Sequence, residues 1–210
     1  MKSTQLFRSY EFLADKADEA FRKMEKEYGT CIKCQLHCSD CCHAVFGLFL
    51  IEAAFIKQHF NQLDGEEIRE ALLRCGDMER ALKRLEIRLQ KHEDDPRMQA
   101  YVMAVERIRC PLLNENQDCI LYPFRPITCR VYGIPTKIHG RGRVCGKAEF
   151  KKGESYPTFD LDGVYRDLFN LSKELLNSGE KGDPEKASLL LSVSKAIRTP
   201  LEDIIDEIFG

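Results

Sequence analysis

The sequence predicts a mainly α fold: a single helical domain over residues 1–210, interrupted by two cysteine-rich metal-binding loops. Three observations lead there. Apolar residues recur every three or four positions over most of the chain, the period of an amphipathic helix. Nine of the ten cysteines fall in two stretches, 31–42 and 110–145, where that period fails. The second stretch continues to residue 157 and holds five of the eight prolines, so it reads as ordered loop with short strands at most.

Helical signals begin at once. Leu6, Tyr10, Leu13, Ala17, Phe21, Met24 and Tyr28 share one face, with Ser3 or Thr4 as the cap and Gly29 as the stop. After the first cysteine loop, residues 44–60 are apolar nearly all round, as expected of a buried helix. Residues 66–92 are charged, yet Ile68, Ala71, Cys75, Met78, Leu82, Leu85 and Leu89 form a stripe through three heptads. Pro96 opens a further helix with Met98, Tyr101, Val105 and Ile108 on one face. Helices return at 160–178, closed by Gly179, and at 183–198, where Asp183 caps and Pro184 takes the first position. Thr199, Pro200 and Glu202 form a capping box for a last helix that buries Ile204, Ile205 and Ile208. Residues 31–146 thus form a cysteine-cluster region, with 1–30 and 158–210 as helical flanks.

Composition narrows the function. Hydrophobic residues are 43% and charged residues 31%, which marks a globular chain. A formal charge of −2 gives no sign of a nucleic-acid or membrane-surface binder. The amino terminus lacks the apolar core of a signal peptide, and the longest apolar run falls short of the roughly 20 residues a bilayer span needs. The expectation is a soluble, cytoplasmic protein with neither nucleic acid nor membrane as partner; a protein partner is left open. There is no Walker loop, dinucleotide fingerprint, nucleophile elbow or zinc-protease helix motif.

In a reducing compartment, clustered thiols point to metal ligation or redox chemistry before disulfides. The stretch "CIKCQLHCSDCC" puts Cys31, Cys34, Cys38, Cys41 and Cys42 into two C-x-x-C units, a spacing at which both sulfurs reach one ion. Five thiols exceed the need of one thioredoxin-like pair. Cys110, Cys119, Cys129 and Cys145 add four more in a loop without regular structure, and metal bonds would supply the missing order. The neighbours Cys41 and Cys42 point to different sides in extended or turn backbone, which favours two nearby sites or one multinuclear centre. Cys75, on the heptad stripe, reads as a buried small apolar residue.

The segment "CILYPFRPITCR", residues 119–130, resembles the signature C-x-[IL]-Y-x-x-R-P-x-x-C-R of the CxxCxxCC zinc- or iron-chelating domain family, the YkgJ-type cysteine cluster proteins. Cys119, Leu121, Tyr122, Arg125, Pro126, Cys129 and Arg130 fall on it. "CPLL" at 110–113 is similar to a second family element, "CSDCC" at 38–42 to the end of the first motif, and Cys145 stands where a last ligand is expected. Three residues separate Cys34 from Cys38 where the family has two, so both Cys31 and Cys34 are candidates for the first family cysteine. The resemblance spans roughly residues 31–146 and implies a bound zinc ion or iron–sulfur cluster. Flagellin lysine N-methylases carry a similar cysteine region, but no glycine-rich cofactor loop supports methyl transfer here.

Metal-bound thiolates carry excess negative charge that nearby cations must offset. Arg125 and Arg130 bracket Cys129 and are placed for that, with a carboxylate-paired role the alternative for each. Tyr122 reads as a core aromatic or as a hydroxyl donor to sulfur. His37 and His43 flank the first loop and are weaker candidate ligands, while "KIHGRGR" at 137–143 is a basic turn that could receive a phosphate. Asp40, Glu115 and Asp118 are the loop acids, and spacing singles out none of them. The leading expectation is an iron–sulfur protein with a redox or electron-transfer role. The alternative is a zinc protein acting as a structural or interaction scaffold, and a thiol–disulfide or metal-delivery role is more remote.

Overall fold

Twenty-seven residues free of proline and glycine open the architecture as helix α1, Lys2–Tyr28. The structure, a computed structural model, describes residues 2–177, 184–200 and 203. Leu6, Tyr10, Leu13, Ala17 and Met24 of α1 are buried and Phe21 and Tyr28 half-buried, as their spacing requires. The helix starts ahead of Ser3 and Thr4, so neither is its cap. It stops at Gly29, where a Cβ would stand 2.6 Å from the Glu25 carbonyl oxygen.

Helix α2 is Leu50–Phe60, six residues shorter than the apolar run predicts. Residues 44–49 are instead extended: Ala44 bridges Arg107 and Leu48 bridges Leu191, both antiparallel. Glu52 fixes the start of α2 by accepting a hydrogen bond from the Phe49 amide at 3.3 Å. Eight of the eleven α2 residues are buried, because α1 and two later helices, α6 (Leu161–Asn177) and α7 (Val193–Arg198), all pack on it.

Helix α3, Gly65–Gln90, is capped by Asp64, whose carboxylate accepts from the Glu66 and Glu67 amides. Its predicted stripe faces inward, with Ala71, Cys75, Met78 and Leu85 buried. Helix α4, Pro96–Val105, begins at proline as predicted, with Asp95 as cap. Its register differs: Val102 is the buried position, while Met98, Tyr101 and Val105 are exposed and Ile108 is buried beyond the helix.

The proline-rich stretch contains α5, Ile127–Arg130, and strands β1, Thr136–Ile138, and β2, Arg141–Arg143. With β3, Phe159–Asp160, they make a three-stranded sheet in the order β2-β1-β3, antiparallel between β1 and β2 and parallel between β1 and β3. Helix α6, Leu161–Asn177, follows directly. The predicted 183–198 helix is broken: a 3₁₀ turn at Pro184–Ser188 precedes an extended stretch through Leu191, and α7 spans only Val193–Arg198. Pairing of Leu191 with Leu48 claims the backbone that a continuous helix would need. Gly179, Asp183 and the isoleucines of the expected last helix lie outside the described residues.

One hydrophobic core joins α1, α2, α3, α6 and α7. Among the described residues no helix is long and apolar enough to cross a membrane. The cysteine loops meet this core at Ile56 of α2, Met78 of α3 and Val193 of α7.

Candidate metal centre

The two loops meet through their backbones first. In the first loop, turns close at Cys31 and Cys38, and a 3₁₀ turn, Cys41–His43, carries the adjacent cysteines. The Cys110 amide then donates to the Cys42 carbonyl at 2.7 Å, and the Ile108 amide to the His43 carbonyl at 3.0 Å. A tight hairpin follows, with Leu113 bridging Cys119 and Gln117 turning in the left-handed region at φ 64°. Side chains tie the hairpin tip to the first loop: Ser39 Oγ donates to Gln117 Oε1 at 2.9 Å, and His37 Nδ1 lies 3.1 Å from Asp118 Oδ1. Hydrogen bonds therefore supply part of the order that the sequence reading assigned to metal alone.

Cys129 arrives on α5. Pro126 caps this one-turn helix, and buried Glu52 accepts the orphan Ile127 amide at 3.1 Å. An apolar helix thus keeps one carboxyl to hold a cysteine turn in place. Burial pushes that carboxyl up to about 7, although the Ile127 and Phe49 amides pull it down. The Tyr10 hydroxyl is buried beside it without a well-formed hydrogen bond.

Cys41, Cys42, Cys110, Cys119 and Cys129 line one cavity of about 30 Å³, walled by apolar side chains such as Ile56, Ile108 and Leu121. Arg125 lines it too. All ten cysteines are free thiols. Cys41 is drawn down to about 3, chiefly by hydrogen bonds from the Cys129 and Cys42 thiols and further by the Arg125 charge. Cys119 is also lowered, by hydrogen bonding with Cys42. The opposite holds for their partners: hydrogen bonding to Cys119 and Cys41 pushes Cys42 up, and bonding to Cys41 pushes Cys129 up. Burial pushes Cys110 up. One guanidinium cannot offset five thiolates at once, and the thiols of the pocket shift in opposite directions.

A second cavity of about 30 Å³ lies alongside, lined by Cys34, Cys38, Asp40 and Cys145. Cys41 and Cys129 line both. Eight of the nine predicted ligand cysteines therefore fall on these two cavities. Cys31 lies on neither, and its carbonyl accepts from the Glu149 amide at 2.8 Å. Of the two candidates for the first family cysteine, Cys34 is the one on a cavity.

The flanking residues divide similarly. Arg125 is nearly buried at the five-thiol pocket, 4.0 Å over the Tyr122 ring and 3.6 Å from Asp18. Arg130 takes the carboxylate-paired role: at 7% exposure it donates to Asp18 and to the Arg125 and Pro123 carbonyls, stapling the 123–130 turn onto α1. Tyr122 is not a core aromatic. It is 61% exposed, because the 3₁₀ turn Tyr122–Phe124 projects it outward and Arg125 covers one face. His43 Nδ1 is taken up by the Ser39 carbonyl at 3.0 Å. The basic turn at 137–143 holds an internal anion: the His139 and Gly140 amides donate to the Asp162 carboxylate at 2.7 and 3.0 Å. Cys75 is fully buried on α3 and donates to the Ala71 carbonyl, as its stripe position predicts.

Among the described residues no group of three or more His, Cys, Asp or Glu side chains is arranged so that it could hold a metal ion. In donor chemistry the residues nevertheless fit a thiophilic metal group: sulfurs from both loops, a charge-offsetting guanidinium and apolar walls. Cavities of about 30 Å³ suit one or a few atoms, whereas organic cofactors occupy pockets of about 300–1,000 Å³. Comparison with protein-family models, curated proteins and solved structures returns no match for this chain. The reading rests on its own residues.

Proposed function

We propose that the protein is a metal–thiolate protein that carries an iron–sulfur cluster on the thiols of the five-cysteine pocket and serves a redox or electron-transfer role. The observation that supports it most is the gathering of Cys41, Cys42, Cys110, Cys119 and Cys129, from two loops 68 to 88 positions apart at Cys42–Cys110 and Cys41–Cys129, around one cavity. Five sulfurs exceed a four-thiolate ion, and the sharing of Cys41 and Cys129 with a second cavity favours more than one metal atom. When bound, such a group supplies reversible one-electron chemistry. The chain's part is to donate thiolates, to place the Arg125 charge beside Cys41 and Cys119, and to exclude water with apolar walls. Those are the levers that set a cluster's potential.

Zinc is the second reading, favoured by one observation: about 30 Å³ admits a single ion without displacing the walls. In that case the two loops form a structural unit. Anaerobic purification followed by iron, zinc and acid-labile sulfide analysis, with a visible absorption spectrum, separates the readings. Brown protein with iron and sulfide supports the cluster, colourless protein with zinc alone supports the structural ion, and metal-free folded protein contradicts both.

A further inference from the structure

The segment 137–152 is basic in a chain that is not. It carries six cations, Lys137, Arg141, Arg143, Lys147, Lys151 and Lys152, against one acid, Glu149. That is +5 by count where the whole chain is −2, so the remaining residues carry −7. Glu149 is itself taken up, by Lys33 of the first loop at 2.8 Å. Arg141, Arg143 and Lys152 are exposed and make no ion pair among the described residues.

The segment runs past the second cavity. Strand β2, which carries Arg141 and Arg143, is an edge of the sheet, paired with β1 alone. Cys145 and Lys147 then line the cavity together with Cys34 and Cys38, and the Glu149 amide ties the segment to the Cys31 carbonyl. Two exposed apolar side chains adjoin the same cysteines. Leu36, on the turn between Cys34 and Cys38, is 79% exposed, the largest exposure of any large apolar side chain among the described residues. Val144, next to Cys145, is 42% exposed. Apolar contact points with a charged surround are the composition of a protein-docking surface.

We propose that the face formed by 137–152 and the 34–38 turn docks an acidic protein partner over this second cavity. Arg141, Arg143 and Lys152 supply the attraction, and Leu36 and Val144 supply the apolar contact. The docking needs no metal. That the partner is an electron carrier rests on the reading above of the five-thiol pocket. Cys41 and Cys129 line both cavities, so a protein seated here stands beside sulfurs of that pocket. One electron would pass between the resident group and the carrier's own redox centre, with no bond made or broken. Nucleic acid and anionic membrane fit less well, because three uncommitted cations are few and the −7 elsewhere repels an extended polyanion.

The test uses the full chain, purified anaerobically, with an acidic flavodoxin, a small one-electron carrier, as the probe. Calorimetric titration at low and at physiological salt measures binding, and single-stranded DNA and phosphatidylserine vesicles are titrated in parallel. Saturable flavodoxin binding that weakens as salt rises is expected. Joint replacement Arg141→Glu and Arg143→Glu should weaken it at least about tenfold. Leu36→Ser should weaken it about threefold and leave the salt dependence unchanged. Circular dichroism should show native helicity in each variant, and Lys152→Glu, outside the sheet, repeats the charge test if the strand variant does not fold. No saturable binding, or wild-type affinity in the charge variants, overturns the docking surface. Tighter binding of DNA or vesicles than of flavodoxin, lost in the same variants, overturns the acidic-protein partner. Arginine-dependent flavodoxin binding by protein that holds no metal supports the docking surface and overturns only the reading of the thiols.

Discussion

Cys75 and Cys119 carry the same thiol, and their surroundings give them different work. Cys75 sits on the packed stripe of α3 and donates to a backbone carbonyl, whereas Cys119 shares hydrogen bonding with Cys42 in the five-thiol pocket. Replacing Cys75 with alanine should cost about 1 kcal/mol by unfolding and leave metal content unchanged; lost metal would contradict its packing role. Glu52 lends itself to a pH test. Its carboxyl is raised from 4.5 to about 7 by burial, so the neutral form suits the fold. Stability from this group is fully present below pH 4.5 and is lost as pH rises through 7, by about 3 kcal/mol at most. Urea unfolding at pH 5 and pH 8 should show that loss in the wild type and not in Glu52→Gln; parallel pH profiles would contradict it. At this scale Cys75 was legible because its helix stripe is a local pattern. Tyr122 was not, and for Arg130 the carboxylate-paired role was only one of two readings. The carboxylate it pairs with, Asp18, lies more than a hundred positions away on α1.

Among the elements, helix existence was readable from periodicity, and the errors cluster where distant backbone intervened. Residues 44–60 are apolar throughout, and a short apolar run does not separate strand from helix. Leu191 decides the matter by pairing with Leu48, and the same pairing ends the helix expected across 183–198. Gly47 permits this approach, since a Cβ there would meet the Leu190 side chain. Gly47→Ala should therefore cost about 1–3 kcal/mol in chemical unfolding, and an unchanged midpoint would show that the extended pairing contributes little. The short strands and the Asp162 clamp on the basic turn were illegible for a related reason. The β3 strand that pairs with β1, and Asp162 itself, lie more than 20 positions from their partners, beyond any local period.

For the whole molecule, a helical frame presents two loops whose sulfurs converge, and cross-loop hydrogen bonds hold the approach before any ion is considered. The cysteine spacings indicated that the loops work together. They left open how the thiols would divide, because the two cavities are lined by sequence-distant residues, Gly133 and Asp40 at one and Ile56 of α2 and Met78 of α3 at the other. In the proposed function, both loops ligate one centre. X-ray absorption at the metal edge, on anaerobically purified wild type, Cys42→Ser and Cys119→Ser, tests it most directly. A sulfur-dominated shell at about 2.3 Å, with metal lost from both variants, is the predicted result. A shell of oxygen and nitrogen, or full metal content in either variant, would contradict it.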